Sequence, residues 1–254
     1  MGAKPLAVLD VIVCGKIDKE DILKLIGAIN QACENQDCSL VGGEISEQPG
    51  VVPEGTFVLS SSVLGVVSKS KIIDGSHIRG GDKVIALSSN GLHTNGFSLV
   101  RRLITARPEV LNKKCEGIDF IDAVLKPHFA YYPYLRDLLD SEWIHGLAHI
   151  TGDGIAGNLE RILPDGLSAQ VELNRIELLP VFSAIKQVGA VPAEDMIANF
   201  NLGVGMIVVV TPEEATTLIQ YLCNKHLHAY EIGQIIEDED SAVQFSGTIK
   251  WIRT

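Results

Sequence analysis

Three glycine-rich breaks in this 254-residue chain share one form, an apolar strand or a helix meeting Gly, Asn, Thr and His: SSNGLHTNG (88–96), AHITGDG (148–154) and FNLGVG (200–205). Glycine lets backbone amides approach a ligand closely. A helix that starts just after such a turn directs unpaired N–H groups and partial positive charge at an anion. The first two breaks run directly into helical patterns, so their chemistry is that of a phosphate cradle. The candidate ligand-binding residues are Ser88, Ser89, Gly91, Thr94, Asn95 and Gly96 in the first turn. The second contributes His149, Thr151, Gly152 and Gly154, and the third Asn201 and Gly203. His93, between small residues, can donate to phosphate or transfer a proton near neutral pH, and is the catalytic candidate. His149 is compatible with that role or with a structural hydrogen bond, and His128, amid PHFAYY, reads as structural.

A second group lies nearer the start. Val41-Gly42-Gly43-Glu44 places a carboxylate just past two glycines. That pattern suits a Mg²⁺ or hydroxyl ligand, and equally a β-bulge with a solvated acid. Asp10 ends an apolar run, where an acid must be paired, exposed or functional, and it is the candidate metal ligand. No zinc motif, Walker A loop, dinucleotide fingerprint or nucleophilic triad motif is present.

These residues must be positioned by an α/β chain with mixed sheets. AVLDVIV reads as a strand, and a helix starts at Asp18 with Ile22, Ile26, Ile29 and Cys33 in phase. CSLVGGEIS and TFVLSSSVLGVVSKS read as strands, the first disturbed by its glycine pair. The stretch DGSHIRGGDK (74–83) is the hinge, dividing the chain into domains 1–77 and 78–254. Beyond it VIALSS, HGLAHIT, LSAQVEL, GVGMIVVV and HAYEIGQII read as strands. NGFSLVRRLIT, GIAGNLERIL, PVFSAIKQVG and the segment after Thr211-Pro212-Glu213-Glu214 read as helices, and LKPHFAYYPYLRDLLD has a broken helical pattern.

Lys and Arg total 21 against 32 Asp and Glu, a net charge of −11, which repels nucleic acid and anionic membranes as partners. The five cysteines include no CxxC pair and read as buried free thiols. Pro5 and Asp10 interrupt the apolar start, which argues against a secretory signal, and a cytoplasmic enzyme is expected.

The segments GAKPLAVLD, LVGGEISEQPG, SSNGLHTNGFSLVR, LKPHFAYY, AHITGDGIAGNL and FNLGVGM, in this order, resemble phosphoribosylformylglycinamidine cyclo-ligase, also called aminoimidazole ribonucleotide synthetase. The resemblance implies an N-terminal domain that builds a β-barrel shared between two protomers of a homodimer, followed by a C-terminal αβ domain. It implies ATP and Mg²⁺ as cofactors, formylglycinamidine ribonucleotide as substrate, and glycine turns that hold substrate or nucleotide phosphates. It also implies a further N-terminal segment carrying a DGVGTK motif. A non-catalytic subunit that keeps the fold and binds ligand without turnover is the alternative expectation. The chain departs from the family pattern at Lys4, where an acid is usual. It departs again at Asp153, within a usual triple glycine, and at Pro127-His128-Phe129, which replaces a basic Pro-Thr-Arg-like segment.

Overall fold

The apolar run AVLDVIV sits inside β1 (Lys4–Cys14), the central strand of a three-stranded sheet with order β2-β1-β3. The computed structural model describes residues 1–238 and 241–252. Helix α1 (Lys19–Glu34) starts where expected: the Asp18 carboxylate accepts from the amides of Glu20 (2.9 Å) and Asp21 (3.2 Å), satisfying two helix-end donors. Its Ile22 and Cys33 are buried, while Ile26 and Ile29 are half-buried. The crossover through α1 lets β2 (Ser39–Glu47) run parallel to β1, and β3 (Phe57–Val66) closes the other edge antiparallel. The register slips between Val8 and Leu9, opposite Leu40 and Gly42, so the glycine pair does mark a bulge. This first unit comprises Met1–Ile72 with Leu135–Asp140. Its sheet is open, three strands wide, and no closed barrel forms among the described residues.

The second unit, Ile73–Tyr134 with Ser141–Thr254, is built on a six-stranded sheet of order β11-β8-β10-β4-β9-β7. In chain order its elements are β4 (Lys83–Ser88), α2 (Phe97–Ala106), the small hairpin β5 (Lys114–Cys115) and β6 (Ile118–Asp119), and α3 (Phe120–Val124). The short α4 (Tyr132–Leu135), β7 (Ile144–His149), α5 (Gly154–Glu160), β8 (Leu167–Glu172), α6 (Pro180–Gly189) and α7 (Ala193–Asn199) follow. The unit ends with β9 (Val204–Val210), α8 (Ala215–Asn224), β10 (Ala229–Glu237) and β11 (Val243–Ser246).

Alternation along β4 explains the layering. Val84 and Ala86 join the core shared with α2, α5 and α6, through Val100, Leu103, Ile155, Leu159, Phe182 and Ile185. Ile85 and Leu87, also buried, lie on the opposite face, where α8 packs on β4 and β10. GVGMIVVV is buried over nearly its whole length as β9, because β4 and β7 flank it on both sides.

Three local readings change. LKPHFAYYPYLRDLLD holds only the four-residue α4, whose first turn contains Pro133, while Pro127 disfavours helix in the residues before it. The helix after Thr211 opens as a 3₁₀ turn over Pro212–Glu214. The cysteines are free, but Cys223 is exposed rather than buried.

Candidate functional site

The first glycine turn leaves β4 at Ser88 and enters α2 at Phe97. It carries two consecutive residues in the left-handed region, His93 (φ 53°) and Thr94 (φ 68°). Such backbone is uncommon outside glycine and strained for a β-branched residue, so surrounding contacts must hold it. Part of that hold is Asn201 of the third turn, which is fully buried. Its Oδ1 accepts from Ser89 Oγ and from the Gly203 amide, both at 2.9 Å, and its Nδ2 donates to the Gly91 carbonyl at 3.0 Å. The Ser89 amide donates to the Gly203 carbonyl at 2.7 Å. The first and third turns are thus clamped together, and Ser89, Gly91, Asn201 and Gly203 position the site with their polar groups already spent.

Two glycines make room for the turn. A Cβ on Gly96 (φ 76°), where α2 begins, would lie 2.2 Å from the Phe200 ring. A Cβ on Gly205 would lie 1.9 Å from Tyr131 Oη and 2.6 Å from His93 Cε1, so this glycine lets the ring lie against β9. Gly96 supplies no capping side chain, which leaves the first amides of α2 open toward the turn.

His93 is buried, and Asn90 holds its ring. Asn90 Nδ2 donates to the Pro127 carbonyl at 2.9 Å, which turns Asn90 Oδ1 toward His93 Nε2 at 2.8 Å. The Asn90 amide also donates toward Nε2 at 3.3 Å, so Asn90 grips that nitrogen through both its backbone and its side chain, while Nδ1 has no partner. Burial, reinforced by His128 and then His149, lowers its pKa from 6.5 to about 3. His93 is neutral at physiological pH and brings no positive charge to the site.

The second turn lies against the first: a Cβ on Gly152 would stand 3.6 Å from Asn95 Oδ1. Thr151 Oγ1 donates to Asn158 Oδ1 at 2.9 Å, and Asn158 Nδ2 reaches the Gly154 carbonyl at 2.7 Å, folding the turn onto α5. Gly154 (φ 61°) has no space for a side chain against the Ile197 carbonyl. Asp153 pairs with Arg161, which removes the repulsion an unpaired acid would exert on a nearby anion.

His149, at the exposed end of β7, meets His128: their Nε2 atoms are 3.1 Å apart. The His128 ring stacks on His93 with centroids 4.3 Å apart. The structure therefore moves His128 from a structural residue into the site. Its sequence setting offered no signal, because the contact depends on how the loop after α3 crosses the first turn. Desolvation lowers the pKa of both His128 and His149, with His149 adding to the effect on His128. Tyr131, also unanticipated, donates to the Ser88 carbonyl at 2.9 Å and anchors the loop.

The remaining candidates belong to the first unit. Asp10 is buried beside Gly43, and with Gly42 and Glu44 it lines a cavity of about 380 Å³. Asp10 is in register with Gly43, whereas Glu44 pairs with Val11. Adjacent strand positions face opposite ways, so the two carboxylates project to opposite faces of the sheet. Asp10 alone is a buried carboxylate there.

The family model described as AIR synthase related protein, N-terminal domain, matches residues 1–67, and the corresponding C-terminal domain matches 79–246. A phosphoribosylformylglycinamidine cyclo-ligase from Acetivibrio thermocellus is 39% identical over 94% of this chain and 71% of its own length. The chain belongs to the phosphoribosylformylglycinamidine cyclo-ligase family. The chloroplastic cyclo-ligase of Arabidopsis thaliana is 37% identical over 96% of the chain and 63% of that protein. Among solved structures, the hydrogenase maturation protein HypE of E. coli covers the whole chain and 75% of its own at TM-score 0.71 and 14% identity. A thiamine-monophosphate kinase from Stenotrophomonas maltophilia covers 98% of this chain and 74% of its own at TM-score 0.64 and 16% identity. At that identity the two structures report a shared fold. Among the described residues no helix is long and apolar enough to cross a membrane.

Proposed function

We propose that this chain catalyses the ATP-dependent closure of formylglycinamidine ribonucleotide to aminoimidazole ribonucleotide, as its family does. The observation that carries the proposal is the convergence of the glycine turns on His93, in a chain 39% identical to a cyclo-ligase over 94% of its length. The same relatives support the enzyme over the alternative of a binding subunit without turnover.

In this reaction the γ-phosphoryl of ATP moves to the formamide oxygen of the substrate, releasing ADP. A substrate nitrogen then attacks the activated carbon, and the C–O bond breaks with loss of phosphate. Catalysis of this kind rests on positioning and on stabilising charge as it develops. The open amides at the start of α2, with Thr94, Asn95 and Gly96, would hold a phosphate group, and Thr151, Gly152 and His149 would border it. His93 would exchange a proton with the ligand through a ring nitrogen. An arriving phosphate raises the pKa of a neighbouring imidazole, which brings His93 toward a range where it can exchange a proton. Mg²⁺ would be held by Asp10, a carboxylate being the kind of ligand this ion takes.

The first unit supports a homodimer. β3 is an edge strand exposed along its whole length, with Val63 67% and Val58 53% exposed, and Val41 on β2 is 59% exposed. Isolated sheets with apolar edges aggregate unless something covers them, and a second copy of the chain would do so.

The test is ADP release with ATP, Mg²⁺ and formylglycinamidine ribonucleotide, with His93→Ala as control. Substrate-dependent release that disappears in the control is expected. Absence of release from folded, dimeric protein would overturn the assignment.

A further inference from the structure

His93, His128 and His149 bring one ring nitrogen each to within 4.8 Å of the others. They come from three separate segments: the first glycine turn, the loop after α3 and the end of β7. Three imidazoles meeting without an acid among them is a donor set for zinc-class ions, not for Mg²⁺, which takes oxygen ligands.

The distances support this. Zinc–imidazole bonds are about 2.0–2.1 Å, so two nitrogens 3.1 Å apart subtend roughly 100° at a shared ion, near tetrahedral. Outer contacts favour the needed lone pairs. Thr94 Oγ1 sends its proton to the His93 carbonyl, and so can only accept from His128 Nδ1, at a long 3.5 Å. That contact leaves His128 Nε2 as a lone pair facing His149. His93 contributes a ring that is 1% exposed and keeps an unpartnered nitrogen, Nδ1. A tetrahedral set needs nitrogens about 3.3 Å apart, so the His93 nitrogen must close by at most about 1.5 Å from its limit of 4.8 Å. An ion lies in the plane of each imidazole it binds, so the His93 ring must also turn out of its stack on His128, where the planes stand at 19°.

We propose that His93, His128 and His149 form a binding site for a divalent transition-metal ion of the zinc class. Three protein ligands leave a fourth position open to an anion or water. His128 is also where the chain departs from the family's Pro-Thr-Arg-like segment, so the site is a property of this chain. The inference rests on the triad's geometry and is independent of the cyclo-ligase reading.

Co²⁺ titration of the full chain, followed by visible absorption, tests it together with Zn²⁺ calorimetry. One ion per chain is expected, with the intense d–d bands of tetrahedral coordination and no thiolate charge-transfer band. His128→Ala and, separately, His149→Ala should weaken binding by more than about 100-fold, beyond the effect of losing an outer-shell partner. Both side chains are exposed, and circular dichroism verifies that the variants fold. His228→Ala, remote in role and paired with Glu177, should bind as the parent does. Unchanged binding in either triad variant, octahedral spectra or thiolate bands would overturn the site.

Discussion

Replacing Asn201 with alanine should loosen two turns at once. The side chain is fully buried and makes three hydrogen bonds, to Ser89 Oγ, the Gly203 amide and the Gly91 carbonyl, at 2.9, 2.9 and 3.0 Å. Each buried partner left unsatisfied costs about 1–3 kcal/mol. The space vacated is polar and of a size for a water molecule, which would recover part of that loss. A net destabilisation of about 2–4 kcal/mol follows, or a melting temperature lowered by roughly 5–15 °C in a unit of this size. Scanning calorimetry of Asn201→Ala measures it directly. Asn201→Asp keeps the acceptor but loses the donor to Gly91 and buries a charge, so it should not restore stability. The sharper readout is a double-mutant cycle. Asn201→Ala already removes the Ser89 bond, so adding Ser89→Ala should cost about 1 kcal/mol less than in the parent chain. A melting shift below about 2 °C, with additive effects of the two changes, would refute the clamp.

Three further outcomes are expected. Gly96→Ala forces a left-handed alanine against the buried Phe200 ring, and about 2–4 kcal/mol of stability should be lost by urea unfolding; a loss under about 0.5 kcal/mol would mean the turn adapts freely. His93 is held neutral with a pKa of about 3 against an ordinary 6.5, so its contribution is fully present above pH 6.5 and is lost as pH falls toward 3. The full gap corresponds to several kcal/mol, and screening by solvent around the neighbouring His128 and His149 reduces this to roughly 2–3 kcal/mol. Unfolding free energy measured against pH in the presence of chelator should therefore fall less steeply in His93→Gln, and identical slopes would contradict the assignment. Val63→Arg on the exposed edge strand should convert a dimer to monomer in sedimentation experiments, while a dimer that persists would place the interface elsewhere.

Much of this protein was legible in the order of its residues because the deciding interactions are local. Asp18 caps α1 through amides two and three positions away, the strand and helix periodicities carry the layers, and the glycine pair at 42–43 marks a bulge. Glycine at 96, 154 and 203 showed where backbone needs freedom or close approach. Family membership, too, lay in the ordered motifs and agrees with the matched domains.

Tertiary structure alone decided how those motifs meet. Asn201 stands 112 residues from Ser89, and nothing in FNLGVG distinguishes an amide that binds ligand from one that binds the opposite turn. His128 joined the site because a loop crosses the first turn 34 residues away. Glu44 faces away from Asp10 because strand register, set by a one-residue bulge, assigns it to the opposite face. Local sequence determines φ and ψ within a few residues, whereas the direction of a side chain in a site depends on register and crossing, which are settled by packing of the whole sheet.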